Sequence, residues 1–187
     1  EQLLVQDSSF TLPRKFKVAF SGCAKDCARC LVNDVGLLAA RHNGNVGYRV
    51  FVGGGMGARS IVGKELETFV PRDQIGAVLN AIKNVFHTHG DRKNKHRNRL
   101  RFLVAEMGLE RFKALYQEEL ARLRAAGPIA LREGTVPSAP PALEPSLETG
   151  DAAFRVFLAA NVVWQKQSGY AAVRLRIPRG DLGWQRA

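Results

Sequence analysis

No run of apolar residues in this 187-residue chain is long enough to form a membrane-spanning helix, which argues against a helical membrane protein. The N-terminus, Glu1-Gln-Leu-Leu-Val-Gln-Asp7, lacks the basic-then-apolar layout of a secretory signal, so a cytoplasmic location is expected. It also lacks an initiating Met, and further sequence upstream is expected. Cysteine is scarce: Cys23, Cys27 and Cys30 are too few, too odd in number and too close together for a disulfide framework, which leaves metal chemistry or ordinary reduced thiols. His42, His87, His89 and His96 show no metal-ligand spacing with an acidic neighbour and read as surface or loop residues; no serine-histidine-acid arrangement is visible. Acid is short relative to base, with 17 Asp and Glu against 28 Lys and Arg, for a net charge of +11. A field of that size attracts anions, and the candidates are nucleic acid, an acidic membrane surface, an acidic protein or a polyanionic cofactor.

What is present fits an ordinary globular protein, 45% hydrophobic and 24% charged, with length for one moderate domain and part of another. The stretch Leu12-Pro-Arg-Lys-Phe-Lys-Val-Ala-Phe-Ser-Gly22 reads as a strand. Alternation puts Phe16, Val18 and Phe20 on a core face and Lys15 and Lys17 on the other. Those lysines either deter edge-to-edge aggregation or face an anion. Apolar 31–40 is broken by Asn33-Asp34, and Gly44 and Gly47 bracket a turn with Asn43 and Asn45 in it. Tyr48-Arg-Val-Phe-Val52 is a strand running into Gly53, Gly54 and Gly55, where backbone can closely approach a ligand or another segment. Pro71 and Asp73 open a helix whose stripe is Ile75, Val78, Leu79, Ile82, Val85 and Phe86, ending near Gly90. A second helical pattern begins at Leu100, breaks at Gly108 and resumes until Gly127-Pro128. Residues 128–150, with Pro137, Pro140, Pro141 and Pro145, read as a solvated linker. Beyond it, 154–163 is apolar and Tyr170-Ala-Ala-Val-Arg-Leu-Arg-Ile177 alternates as a strand, the start of a second unit whose continuation past Ala187 is expected. The class is α+β, a mixed sheet covered by helices, with domains at 1–127 and 151–187.

Two clusters carry possible chemistry. Cys23-x3-Cys27-x2-Cys30 has the spacing with which radical S-adenosylmethionine enzymes hold three irons of a cluster. The usual aromatic residue before the last cysteine is replaced by Ala28-Arg29, and the repeated strand-helix units of that family are missing, so structural thiols are expected. The segment Asp91-Arg-Lys-Asn-Lys-His-Arg-Asn-Arg-Leu-Arg101 is a solvated run, a nucleic-acid patch or a guanidinium clamp for a carboxylate-rich cofactor. No aromatic residue lies within it to stack on bases, so nucleic acid is not expected as a partner.

Taken in order, Leu12-Pro-Arg-Lys-Phe-Lys17, Asn33-Asp34, Phe51-Val-Gly-Gly-Gly-Met56, Asp91-Arg-Lys-Asn94 and Gly108-Leu-Glu-Arg-Phe-Lys113 resemble the first catalytic half of the sirohaem-dependent sulfite and nitrite reductases. Asn161-Val162, Gln165-Lys-Gln-Ser-Gly-Tyr170 and Pro178-Arg-Gly-Asp-Leu182 resemble the opening of that family's second ferredoxin-like repeat. The resemblance implies six-electron reduction of sulfite to sulfide or of nitrite to ammonia, with ferredoxin or a flavoprotein as electron donor. It implies that Lys15 and Lys17 bind the substrate anion, and that Arg14, Asn33, Gly54, Gly55, Arg97, Arg99 and Arg101 lie against sirohaem, Arg99 foremost. Lys17 favours sulfite, since plant-type nitrite reductases usually carry Asn there. The family's four-iron cluster is ligated by two cysteine pairs in the other catalytic half, and no cysteine follows Cys30. The chain is therefore expected to contribute no metal ligand and to be inactive alone; the alternative is a basic anion- or RNA-binding module without redox chemistry.

Overall fold

The computed structural model describes residues 6–57, 60–127, 151–165 and 169–177. The chain divides into two units, Glu1–Arg132 and Glu133–Ala187. In the first, a single helical turn α1 (Asp7–Phe10) precedes strands β1 (Val18–Ser21), β2 (Val35–His42), β3 (Asn45–Val52) and β4 (Lys64–Pro71), then helices α2 (Ile75–His89), α3 (Leu100–Met107) and α4 (Leu109–Ala125). The sheet order is β1-β2-β3-β4, with β1 parallel to β2 (Val18 opposite Val35) and the other pairs antiparallel. This is the mixed, helix-covered α+β sheet expected from the sequence.

The β2–β3 hairpin turns at Asn43 (φ 49°) and Gly44 (φ 80°), the two successive left-handed residues that a tight two-residue hairpin loop requires. Alternation then sorts the β2 side chains. Val35 and Leu37, with Val50 and Val52 of β3, pack against Val78, Ile82 and Phe86 of α2 and Phe112 and Tyr116 of α4. The predicted α2 stripe is buried along its length, and full burial of a side chain such as Phe86 contributes roughly 1.5–3 kcal/mol. Leu38 and Phe51 form a smaller cluster with Cys30, against which Ala19 and Leu31 pack.

Two expectations change, and one strand was not foreseen. The lysine-bearing strand is shorter than predicted, so Lys15 and Lys17 sit in the extended lead into β1. Phe16 stacks on Phe86 (centroids 6.1 Å) and Val18 joins the core, but Phe20 is 49% exposed, because β1 is a short edge strand and leaves that ring only an edge-on contact with Tyr48. β4 was not legible: its pairing with β3 shifts register between Tyr48 and Phe51, and that irregularity disrupts the alternation of Lys64-Glu-Leu-Glu-Thr-Phe-Val70.

Lys83 of α2 is buried, its ammonium donating to Gln6 Oε1, Ser8 Oγ (2.9 Å) and Ser9 Oγ (3.2 Å), which docks α1 onto α2; burial lowers its pKa.

In the second unit, most of the apolar run, to which the sequence reading assigned no element, is a helix over 152–161. α5 (Ala152–Asn161) is capped by Asp151, whose Oδ1 accepts from the Phe154 N–H at 2.8 Å, and that cap selects helix over strand. β5 (Val162–Trp164) pairs antiparallel with β6 (Ala171–Val173). The predicted linker 128–150 and the motif stretches 166–168 and 178–182 lie outside the described residues.

Candidate functional site

The segment from Thr11 to Lys17 has little regular secondary structure, yet its backbone is fastened at successive points. Arg92 donates to the carbonyls of Thr11 and His87, both at 2.7 Å. Asn98, buried, donates its side-chain amide to the Pro13 carbonyl at 3.1 Å. The Lys17 N–H donates to Asp34 Oδ2 at 2.9 Å, and the Lys17 carbonyl accepts from the Val35 N–H at 3.0 Å. Gly90 leaves room for this path, since a Cβ there would come within 2.6 Å of the Pro13 ring. The backbone is thus fixed while the side chains of Arg14, Lys15 and Lys17 stay exposed. Arg14 and Lys15 line one cleft of about 330 Å³ together with Leu12, Phe16 and Lys83, whereas Lys17 lies outside it.

Asp34 is the node of this arrangement. Its carboxylate is fully buried and forms a forked pair with Arg99, Nε to Oδ1 at 3.1 Å and a terminal nitrogen to Oδ2 at 2.7 Å. Arg99 occupies the position just before α3, so one carboxylate joins the entries of β1, β2 and α3. Two of the Arg99 nitrogens are therefore committed inside the protein. Arg97 is exposed, with its backbone N–H bonded to the Asn94 carbonyl. Arg101 donates to the Met56 carbonyl at 3.2 Å and lies over the Phe102 ring. The basic segment, for which a guanidinium clamp was one of three readings, thus does two jobs: Arg92, Asn98 and Arg99 position the lysine-bearing backbone, and Arg97 faces outward.

The glycine run is close-packed against the chain itself. Gly53 takes φ 78° and donates its N–H to the Asp34 carbonyl. A Cβ on Gly54 would lie 2.3 Å from the Leu31 carbonyl oxygen and 2.6 Å from that of Asn33, and one on Gly55 would meet the Arg101 side chain at 2.9 Å. Gly54→Ala is expected to cost about 1–3 kcal/mol, because backbone rather than a movable side chain opposes it. Gly22→Ala, whose added Cβ meets nothing within 4 Å, should be nearly neutral. Urea unfolding of both variants checks this, and equal losses would contradict it. Asn33 uses its side-chain amide on the Arg29 carbonyl (2.9 Å), closing the cysteine-bearing loop. Sequence reasoning did not foresee the roles of Asp34, Arg92 and Asn98, because each acts through a backbone group far away in the chain.

Among the described residues, no group of three His, Cys, Asp or Glu side chains converges as metal ligands would. The fold and site therefore define an α+β domain with exposed cations on a fastened backbone. Residues 2–123 match the family model described as the nitrite and sulphite reductase 4Fe-4S domain, and the chain belongs to this sirohaem sulfite and nitrite reductase family. It is 32% identical over 180 residues to a ferredoxin–nitrite reductase of Synechococcus elongatus, covering 94% of this chain and 31% of that protein. It is 34% identical over 109 residues to sulfite reductase [ferredoxin] 2 of Mycolicibacterium paratuberculosis, covering 58% and 19%. The solved structure of the Mycobacterium tuberculosis NirA protein matches with a TM-score of 0.56 at 26% identity, covering 75% of this chain and 26% of that one. The chain thus spans about a fifth to a third of the length of these relatives.

Proposed function

We propose that this chain forms the first catalytic half of a ferredoxin-dependent sirohaem reductase, in which Lys15 and Lys17 bind the substrate anion. The observation that carries this reading is the fixed backbone beneath exposed cations: Arg14, Lys15 and Lys17 enter no ion pair among the described residues, and Arg97 is exposed, with Asp91 near enough to feel its charge. A solvated edge strand would not need Asp34, Asn98 and Arg92 to hold it in place. The same exposed cations suit the carboxylates of sirohaem, with Arg14 and Arg97 the best placed to hold them; Arg101, beside Gly55, would be a further contact. Asn33, Gly54 and Gly55 would form the wall near the ring, and Arg99 would act there chiefly through Asp34. When bound, sirohaem would supply the electron route to the anion.

The lysine ammonium groups would hold the anion's oxygens, stabilise negative charge that grows during reduction, and deliver protons as oxygen leaves as water. On this reading the ligands of the four-iron cluster belong to another part of the protein. Sulfite is the preferred substrate because Lys17 completes the cationic pair, and relatives named as ferredoxin-dependent enzymes support ferredoxin as donor. The intact protein should show sirohaem absorption bands and turn over sulfite faster than nitrite, while residues 1–187 alone should reduce neither. A purified intact protein without sirohaem overturns the assignment, and one that reduces nitrite but not sulfite overturns the choice of substrate.

A further inference from the structure

The connection between β1 and β2 is a compact loop that carries all three cysteines and has its own internal scaffold. Asp26 and Arg29 both take left-handed backbone angles (φ 49° and 50°). The Asp26 N–H donates to the Cys23 carbonyl at 3.1 Å, and the Arg29 N–H to the Asp26 carbonyl at 2.8 Å. The Asp26 carboxylate accepts from the N–H groups of Cys30 (2.7 Å) and Leu31 (3.2 Å). Cys30 is fully buried beneath Leu38 and Phe51. The other two thiols are brought together instead: Cys23 Sγ and Cys27 Sγ are 3.0 Å apart, closer than non-bonded sulfurs ordinarily approach, with Cys27 exposed and Cys23 partly so.

We propose that Cys23 and Cys27 form a reversible dithiol–disulfide couple that exchanges with small disulfides such as glutathione disulfide, while Cys30 stays a reduced core thiol. The loop fixes both sulfurs in contact before reaction, so closure needs little backbone rearrangement. Chemistry divides the three thiols the same way. The hydrogen bond from Cys27 lowers the Cys23 pKa to about 7, which makes Cys23 the attacking thiolate near neutral pH, whereas burial and the Asp26 carboxylate push Cys30 up to about 12. The Cys23 thiolate attacks one sulfur of glutathione disulfide; that S–S bond breaks, a Cys23–glutathione mixed disulfide forms and a glutathione thiolate leaves. Cys27, after losing its proton, attacks Cys23 Sγ, forming the Cys23–Cys27 bond and expelling the second glutathione thiolate. The protein gives up two electrons and two protons, and glutathione disulfide takes them up as two glutathione thiols.

The test uses the intact protein equilibrated in glutathione–glutathione disulfide mixtures, quenched with acid, labelled with N-ethylmaleimide and read by intact mass and peptide mapping. The expected result is loss of both labels at Cys23 and Cys27 together, through one internal disulfide, with Cys30 labelled only after unfolding. In Cys27→Ser, Cys23 should accumulate as a stable glutathione adduct, and Cys30→Ser should form the same internal disulfide as the parent. Independent labelling of Cys23 and Cys27 at every ratio, a stable glutathione adduct on the parent protein, or loss of the internal disulfide in Cys30→Ser would each overturn the proposal.

Discussion

Asp34→Ala is expected to destabilise the first unit by about 3–5 kcal/mol, the usual cost of removing one partner from a buried ion pair. The substitution leaves the Arg99 guanidinium, whose side chain is only 20% exposed, without its forked acceptor, and strands the Lys17 N–H. Asp34→Asn keeps one acceptor oxygen but removes the charge that Arg99 requires, so it should lie between the parent and Asp34→Ala. A double variant, Asp34→Leu with Arg99→Met, should recover much of the loss, because it removes the uncompensated charge together with its partner. Urea midpoints of the four proteins measure this. A loss below about 1 kcal/mol in Asp34→Ala would show that the pair is not the structural node described above.

In the intact protein, Lys17→Met is expected to lower turnover of sulfite by about 10²–10³-fold with haem content unchanged, the scale seen when one group aimed at developing negative charge is removed. Lys15→Met should behave similarly. Methionine keeps length and apolar bulk, so the substitution deletes the charge and the transferable protons. Lys17 bonds to Asp34 and Val35 through its backbone, and that contact survives the change. Stability should therefore move little, in contrast with Asp34→Ala. If haem is lost while activity per haem is retained, the lysines hold the cofactor rather than the substrate.

How much of this was legible in the sequence depended on whether a residue's partner is local. The α2 stripe, a turn around Asn43-Gly44 and the break at Gly108 follow from spacing and turn chemistry within a few residues, and all appear in the structure, the turn as a two-residue hairpin. The order of the motifs identified the family although each was weak alone. β4 was missed because its pairing is irregular, and the helix α5 because an apolar run of its length suits either state until the Asp151 cap is recognised. The basic segment was the subtler case. Its charge was visible, but only the tertiary fold shows that Arg92 and Arg99 spend their guanidinium groups on Thr11, His87 and Asp34.

The fastening of the Thr11–Lys17 backbone also bears on where conformational entropy is lost. Fixing one residue's backbone costs about 1–2 kcal/mol in entropy. Here the bonds to Thr11, Pro13 and Lys17 settle that loss when the domain folds, and on the proposed reading the exposed ammonium groups would keep their rotamer freedom until an anion arrives. Such binding would have only side chains to order, so anion affinity should depend on lysine chemistry and little on loop rearrangement.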